Sequence, residues 1–309
     1  MILVGMRVTI VGATGLVGNA LLRAWRARGA DIVAATYKDH PGTDFRQLDM
    51  RDESAVRRLL DEAMPEVVAV PAANPFVDYC ETHPEETRRV NVDGTLNVAR
   101  ACKALGARMI FFSSDYVFDG KKESYSESDA VGPLNEYGRQ KARTEAEVLS
   151  IDPRSLVIRI SGAYGWQWRR VNFVEQVLGK LEAGQRMEVT ADVRYNPTCA
   201  DNLAAVVAEL SELKSAGIFH VAGSERLARY DFAVKVARRF GLDAGLLSPV
   251  PSSRFPAAAP RPKSSTLLTD KVRALVRAPL LTPDQGLLYM KETRAQWLEY
   301  LKTLPAHAQ

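Results

Sequence analysis

Residues 7–18 read RVTIVGATGLVG, a β-branched run followed by three glycines at a spacing of three. Gly12 permits a tight turn, Gly15 lets a diphosphate approach the backbone, and Gly18 lets the next helix pack on the strand. The amino end of that helix attracts phosphate. A plain strand-to-helix turn is the weaker alternative, because a strand pattern precedes the loop and a helical one follows it. We therefore predict a dinucleotide-binding loop made of Gly12, Thr14, Gly15, Leu16, Val17 and Gly18.

Apolar strands alternate with helical patterns through the first half of the chain. Strands are predicted at 7–11, 31–36, 66–70, 108–112 and 156–160, and helices at 16–28, 52–63, 84–105 and 134–149. This alternation is typical of βαβ units in a parallel sheet that is covered on both faces. The fold class is therefore α/β, a doubly wound Rossmann sheet with a smaller C-terminal substrate lobe.

The second half is less regular. Helices are predicted at 172–182, 201–213, 230–240 and 285–301, with a proline-rich extended loop at 249–262 and a strand at 217–221 that could return to the main sheet. We expect residues 1–165, with about 198–222, to form the nucleotide-binding domain. Residues 166–197 and 223–309 are expected to form the substrate lobe.

Composition excludes several classes of protein. The 309 residues carry a net charge of +4 from 41 basic and 37 acidic side chains, without a basic run, so nucleic acid is not an expected partner. The cysteines, Cys80, Cys102 and Cys199, are odd in number and far apart. They form neither a zinc spacing nor a disulfide framework, and they indicate a reducing cytoplasm. No apolar run reaches the length of a membrane span, and the amino terminus is typical of a first strand and not of a signal peptide.

The end of the second strand bears on the choice of nucleotide. NAD-selective Rossmann domains usually carry an acid there, whereas this strand ends AATYKDH with Tyr37 and Lys38. A cation at this place attracts a 2′-phosphate and favours NADP over NAD, although Lys38 could be an ordinary solvated lysine. Asp49, with Met50 beside it, could accept a hydrogen bond from the adenine amino group. Further along the chain, Ala72 and Ala73 are small enough for a nucleotide to lie against the backbone, unless they simply form a turn.

A candidate proton-transfer set occurs in NEYGRQKART, residues 135–144. Tyr137 and Lys141 lie one helical turn apart on the same face of the predicted helix, which is a common surface pairing in isolation. A free tyrosine has a pKa near ~10, so a neighbouring ammonium is expected to lower it. Ser113 and Ser114 follow a predicted strand, where the sites of parallel sheets form. Together these groups could give a proton to a substrate carbonyl while a bound cofactor gives the hydride.

The combination resembles the extended short-chain dehydrogenase/reductase family, and within it the dTDP-4-dehydrorhamnose reductases. The similar segments occur in the family's order and reach from the amino terminus to about residue 276. They are GATGLVG, VDYCETHPEETRRVNVDGTLNVARAC, SSDYVFDG, PLNEYGRQK, RISGAYGW and RPKSSTLLTDKVRAL. The resemblance implies an NADP-dependent reductase of a nucleotide-activated 4-keto-6-deoxysugar in dTDP-rhamnose biosynthesis. It also allows a homodimer, since relatives often form dimers, some with a bound metal. This sequence itself shows no cluster of metal-ligating residues.

The resemblance also implies roles for individual residues. Ser114 takes the place of a hydroxyl residue that is commonly threonine in the family, and Tyr137 is the proton donor. Lys141 lowers the pKa of that tyrosine and binds the nicotinamide ribose. Asn91, in NVDGT, matches an asparagine linked to helix shape and proton relay, or is an ordinary helix residue. Tyr116 matches a position near the sugar, or packs within its loop.

The substrate lobe departs from the family pattern. A motif that often reads Asp-Gln-x-Gly-x-Pro-Thr is ADVRYNPT here, which keeps Asp192, Pro197 and Thr198. Arg194 could supply a contact to the nucleotide diphosphate in place of the lost residues. The segment WQWRR, residues 166–170, offers aromatic rings for stacking and guanidinium groups for phosphates, or forms an ordinary lobe interface. The substrate-binding candidates are Tyr116, Trp166, Trp168, Arg169, Arg170, Asn172 and Arg194.

Two other functions remain open from the sequence. The regulatory subunit of methionine adenosyltransferase resembles the same family and binds NADP, so a non-catalytic binding role is one alternative. An epimerase or dehydratase on the same fold is another. A dehydratase is expected to carry an acidic pair beside the hydroxyl residue, and Asp115 is not followed by a glutamate.

Overall fold

Thirteen strands occur in the computed structural model, which describes residues 5–38, 44–167 and 171–303. The strands are β1 Arg7–Val11, β2 Asp31–Thr36, β3 Phe45–Gln47, β4 Val67–Val70, β5 Arg108–Ser114, β6 Leu156–Ile160, β7 Ala163–Tyr164, β8 Met187–Thr190, β9 Arg194–Tyr195, β10 Thr198–Cys199, β11 Gly217–His220, β12 Leu227–Ala228 and β13 Leu247–Val250.

Seven of these strands form one parallel sheet in the order β11-β6-β5-β4-β1-β2-β3. Every neighbouring pair in it is parallel, and the order reverses between β1 and β4, where a Rossmann fold places its ligand crevice. The predicted Rossmann architecture is therefore confirmed. The strand expected at 217–221 does return to this sheet, where β11 pairs with β6. The remaining strands form three two-stranded sheets, β10-β7, β12-β9 and β13-β8.

Helices cover both faces of the sheet and build the lobe. They are α1 Leu16–Arg26, α2 Glu53–Ala63, α3 Val77–Thr82, α4 Pro84–Arg88, α5 Thr95–Leu105, α6 Glu136–Ile151, α7 Phe173–Glu182, α8 Ala200–Glu212, α9 Arg229–Phe240, α10 Asp270–Arg273 and α11 Pro283–Thr303. The helix expected at 84–105 is present as α4 and α5, joined by a π-helical segment at Arg89–Gly94. Such segments often occur at functional sites. A 3₁₀ turn, Asp115–Val117, follows β5 directly.

The apolar residues separate into clusters that match these layers. One cluster joins one face of the sheet to α1 and α8, and a second joins the other face to α2 and α5. A third cluster lies in the lobe and joins α7, α9 and α11. Val272 and Leu280 belong to the first cluster, so part of the C-terminal region packs against the main sheet. The proposed domain boundaries stay a prediction. Within the described ranges, none of the helices combines the length and apolarity needed to cross a bilayer.

Candidate active site

The glycine loop lies between the end of β1 and the first turn of α1. Gly12 has a φ of +93°, and a Cβ there would lie 2.8 Å from Ala72. A Cβ on Gly18 would lie 2.1 Å from the Gly12 carbonyl oxygen, so only glycine lets α1 approach the loop this closely. Gly15 is different, because its Cβ would meet nothing closer than 3.5 Å. Its lack of a side chain leaves room beside the backbone for a ligand.

The amino end of α1 suits a phosphate group. Gly15 is its N-cap and provides no side-chain hydrogen bond, and the first turn holds no acidic residue. The backbone N–H groups and the positive end of the helix dipole are therefore available to an anion. Thr14 is held beside the loop by a 3.1 Å hydrogen bond between its hydroxyl and that of Thr36. These features fit the diphosphate of a dinucleotide.

The side chains at the expected adenosine end are arranged differently from the prediction. Both carboxylate oxygens of Asp49 accept hydrogen bonds from the Arg51 guanidinium, at 2.7–3.1 Å, which holds the pKa of that carboxyl below its usual range. Arg51 also donates to the Tyr37 hydroxyl at 3.0 Å and stacks on the Tyr37 ring. Lys38 is exposed, and Met50 is buried in the core, where only its backbone could meet a nucleotide. Arg51 is thus a second cation near Lys38 that the sequence reasoning missed.

Ala72 and Ala73 follow β4, next to the glycine loop. The Ala72 N–H donates to the Val11 carbonyl at 3.1 Å, so the backbone after β4 is attached to the end of β1. Both alanines are half-buried. This places them beside the crevice at the topological switch point.

The candidate catalytic residues meet at the carboxyl end of β5. Ser114 is the last residue of that strand, and Tyr137 and Lys141 lie on α6. The ammonium of Lys141 is buried, donates to the Phe112 carbonyl at 2.8 Å and lies 5.8 Å from the centre of the Tyr137 ring. A Cβ on Gly138 would lie 2.2 Å from the Tyr116 carbonyl oxygen, so this glycine allows α6 to reach the turn after β5.

The electrostatics of Tyr137 differ from the expectation. Burial raises the pKa of its phenol, and the neighbouring Asp115 and Cys80 raise it further, while contact with Ser114 lowers it. The pKa of Tyr137 is therefore raised overall, and Lys141 is not among the groups that shift it most; that Lys141 lowers this pKa stays a prediction. Burial also lowers the pKa of Lys141, to about 8, so part of its charge is lost in mildly alkaline solution.

Asp115 is a buried carboxylate held by three hydroxyl groups. Its oxygens accept hydrogen bonds from Ser114 at 3.0 Å, from Ser161 at 2.8 Å and from Ser265 at 2.6 Å. Burial raises the pKa of Asp115, and the three serines oppose that shift. The carboxylate therefore orients the Ser114 hydroxyl and places a negative charge near Tyr137.

Asn91 lies in the π-helical segment and is fully buried. Its side-chain oxygen accepts from the Asn74 N–H at 2.7 Å, and its amide donates to the Gln140 side chain at 2.9 Å. These bonds join the segment after β4 to α6, the helix that carries Tyr137. Its role in helix shape therefore has a physical basis, and a role in proton relay stays a prediction.

The predicted substrate-binding residues have different partners in the structure. Tyr116 is near the catalytic set, with its ring 6.3 Å from that of Tyr137 and edge-on to it. Trp166 instead donates its indole N–H to the Met290 carbonyl at 2.9 Å, and Asn172 caps α7 in a reciprocal bond with Glu175. Both side chains therefore have structural roles. Arg194 is exposed on β9. Trp168, Arg169 and Arg170 lie outside the described residues.

The retained residues of the ADVRYNPT segment also hold the fold. The Asp192 carboxylate accepts from the backbone N–H and the hydroxyl of Ser252, at 2.7 and 2.9 Å. Thr198 donates to the Ser161 carbonyl at 2.6 Å. No group of three or more side chains suited to a metal ion occurs in the parts of the chain that the structure describes.

Comparison with known proteins identifies the family. The family described as "RmlD substrate binding domain" matches residues 6–290. The chain belongs to this family. A dTDP-4-dehydrorhamnose reductase from Mycolicibacterium smegmatis is 33% identical over 89% of this chain and 81% of its own length. The methionine adenosyltransferase 2 subunit beta of Bos taurus is 31% identical over 87% of this chain and 82% of its own.

Solved structures agree with this assignment. The dTDP-4-dehydrorhamnose reductase of Bacillus anthracis, solved in complex with NADP, has a TM-score of 0.86 and 27% sequence identity. The alignment covers 93% of this chain and 99% of that one. The resemblance to extended short-chain dehydrogenase/reductases is therefore confirmed. Both reductases and methionine adenosyltransferase beta subunits occur among these relatives, and the reductases suggest an oxidoreductase.

Proposed function

We propose that the protein reduces the 4-keto group of a nucleotide-activated 6-deoxysugar with NADPH, as a dTDP-4-dehydrorhamnose reductase does. The observation that carries this proposal is the meeting of Ser114, Tyr137 and Lys141 at the sheet edge that also bears the glycine loop. The names of the reductase relatives support the substrate class.

When bound, NADPH would supply the hydride that reduces the carbonyl carbon. Tyr137 gives its proton to the carbonyl oxygen, so that the ketone becomes a secondary alcohol. With its pKa raised by burial, this phenol keeps its proton at neutral pH and is a weaker acid than a free tyrosine. Ser114 would turn its hydroxyl hydrogen from the Asp115 carboxylate to the same carbonyl oxygen, and Lys141 holds ribose hydroxyls beside Tyr137. The ammonium of Lys141 is held in place by its hydrogen bond to the Phe112 carbonyl.

The cofactor preference is proposed from charge. Lys38 and Arg51 place cations near the end of β2, where an NAD-selective domain usually has an acid. We therefore propose NADP as the preferred cofactor, with NAD as the second choice. A homodimer and a cytoplasmic location stay predictions.

The direct test is NADPH oxidation with dTDP-4-keto-6-deoxy sugars as substrates. Tyr137→Phe should reduce turnover at least about 100-fold while NADPH binding stays nearly intact, because only the transferred proton is lost. Tyr289→Phe, which removes a phenol from the partly exposed face of α11, is the matched control and should keep full activity. Normal turnover by Tyr137→Phe would show that the assigned role is wrong.

A second candidate is a non-catalytic subunit that binds NADP. The relatives named methionine adenosyltransferase 2 subunit beta favour it. It predicts that NADPH raises the melting temperature of the protein while no keto sugar is reduced. The presence of Ser114, Tyr137 and Lys141 together favours the reductase.

An epimerase or dehydratase has less support. Asp115 is the acid beside the hydroxyl residue, and three serine hydroxyls already bind its carboxylate. Tyr116 follows it where a dehydratase is expected to carry a glutamate.

A further inference from the structure

Arg229 lies where α9 begins, directly after the short strand β12. Its backbone N–H donates to the Val193 carbonyl at 3.0 Å, and β12 pairs with β9, so the residue is firmly positioned. The guanidinium carbon lies 4.0 Å from the centre of the Phe173 ring at the start of α7. Stacking of this kind fixes the plane of a guanidinium and leaves its N–H groups free at the edges.

The charge of Arg229 has no carboxylate partner within the described ranges, although the side chain is half-buried. Two other arginines in the same region differ in this respect. Arg226 forms an ion pair with Glu123, and Arg261 forms one with Asp78 at 2.7 Å. Removing a cation from water without an ionic partner costs free energy. The unpaired guanidinium of Arg229 therefore points to an anion that is supplied by a ligand.

Arg229 is close to the catalytic set. Its charge acts on the phenols of Tyr116 and Tyr195, whose pKa values are raised by burial and lowered in part by the guanidinium. Tyr116 in turn lies edge-on to Tyr137, with 6.3 Å between ring centres. Tyr116, Tyr137, Phe173 and Arg229 are all only partly buried, as expected of side chains that line an opening.

We propose that Arg229, stacked on Phe173, binds the diphosphate of the nucleotide-sugar substrate and thereby helps to select it. This inference rests on the proposed function and assigns a substrate-lobe residue that the sequence reasoning missed. The cofactor's diphosphate is not the anion in question, because the uncapped amino end of α1 already provides for it. Arg194 pairs in register with Ala228, the residue before Arg229, and so lies beside this subsite.

The test is the affinity for dTDP, UDP and thymidine, measured by calorimetry in the presence of NADP. Arg229→Gln should weaken binding of the preferred nucleoside diphosphate at least about 10-fold and leave thymidine binding unchanged. Arg229→Lys, which keeps the charge but loses the planar fork, should recover part of the affinity. Arg238→Gln, an exposed arginine on the same helix, is the control for charge and should bind as the parent protein does.

Four measurements separate the outcomes: melting temperature, NADPH affinity, nucleoside diphosphate affinity and NADPH oxidation. Unchanged melting temperature and NADPH affinity would show that Arg229→Gln is folded and that its loss concerns the substrate site. Equal dTDP and UDP affinity in parent and variant, or no binding of either by the parent, would overturn the proposal for Arg229. If the parent binds a nucleoside diphosphate through Arg229 but does not oxidise NADPH with keto sugars, the proposed reductase function is wrong and the proposed role of Arg229 in diphosphate binding is supported.

Kinetics add a further readout if turnover is observed. Because Arg229 contacts a part of the substrate that does not react, Arg229→Gln should raise KM at least about 10-fold with little change in kcat. A fall in kcat at constant KM would contradict the assignment to binding.

Discussion

Ser114 donates its hydroxyl hydrogen to the carboxylate of Asp115, the next residue in the chain, over 3.0 Å. The hydrogen of the candidate catalytic hydroxyl is thus directed to a buried acid, and its lone pairs can accept from other donors, as they do from the Tyr116 N–H at 3.2 Å. Because Asp115 also raises the pKa of Tyr137, one carboxylate influences both hydroxyl groups of the proposed site.

Asp115→Asn tests this influence through the pH dependence of reduction. The negative charge raises the pKa of Tyr137, so its removal should lower that pKa. Since reduction needs the protonated phenol, activity should be lost at a lower pH, with the alkaline limb of kcat/KM moved down by about one pH unit. The other titratable groups near Tyr137 are Lys141 on its own helix, the Cys80 thiol of α3 and the Tyr116 phenol, and the substitution leaves all three in place.

Asp119→Asn is the control for this experiment. Asp119 lies in the same loop and accepts the Tyr125 hydroxyl at 2.7 Å, outside the proposed site. Its substitution should leave the alkaline limb unmoved. An unshifted limb in Asp115→Asn, or a shift to higher pH, would contradict the role given to Asp115.

Lys141→Met should stabilise the protein at neutral pH while it abolishes turnover. Burial lowers the pKa of Lys141 to about 8, below the 10.5 of a free lysine, so the folded state disfavours the ammonium. The free-energy cost of burying the ammonium is complete below pH 8, shrinks between pH 8 and 10.5, and is absent above pH 10.5. Its removal, less the lost bond to Phe112, should raise the free energy of unfolding at pH 7 by roughly 1–3 kcal/mol.

Thermal unfolding at pH 7 and at pH 10.5 measures this effect. The advantage of Lys141→Met should nearly vanish at the higher pH. Lys180→Met, at an exposed position on α7, should show no such pH-dependent gain. A less stable Lys141→Met at pH 7 would mean that the ammonium is better solvated than its burial indicates.

Gly15→Ala and Gly18→Ala separate the two functions of the glycine loop. The new Cβ at position 18 would overlap the Gly12 carbonyl, so this variant should melt at a clearly lower temperature. Position 15 has an ordinary φ of −74° and room for a methyl group, so the Gly15→Ala variant should keep the melting temperature of the parent protein. NADPH binding by Gly15→Ala should nevertheless weaken at least about 10-fold, because the diphosphate must approach that backbone.

Scanning fluorimetry and NADPH titration of the two variants provide the measurement. If Gly15→Ala bound NADPH as tightly as the parent, the loop would not be the diphosphate site. Each variant serves as the control for the other.

Arg51→Ala should change the choice between cofactors. Its guanidinium lies on the Tyr37 ring beside Asp49, near the end of β2, and Lys38 is close in the chain. Loss of this cation should weaken the binding of NADPH at least about 10-fold and leave the binding of NADH unchanged, since only NADPH carries the 2′-phosphate. Competition binding of both nucleotides measures the ratio. Arg57→Ala, on the exposed face of α2, is the control and should leave the ratio of the two affinities unchanged. If Arg51→Ala weakened the binding of NADPH and NADH equally, the assignment would be wrong.

Much of the fold could be predicted from local patterns. The β-branched runs and the three-residue glycine spacing identified β1, the loop and α1, and the alternation of strands and helices identified a parallel sheet. The proximity of Tyr137 and Lys141 also follows from helical periodicity alone. These features depend on residues that are neighbours in sequence, and local stereochemistry is sufficient to specify them.

The sequence by itself determined the Rossmann sheet, the glycine loop and the one-turn spacing of Tyr137 and Lys141. Only the tertiary structure decided what surrounds them: Ser265 reaches Asp115 across 150 residues, Arg51 donates to Tyr37, and Phe173 meets Arg229. It likewise assigned Trp166 and Asn172 to packing and capping. The physical reason is that burial, charge pairing and pKa depend on which distant segments exclude water from a side chain, and no spacing within one segment records that.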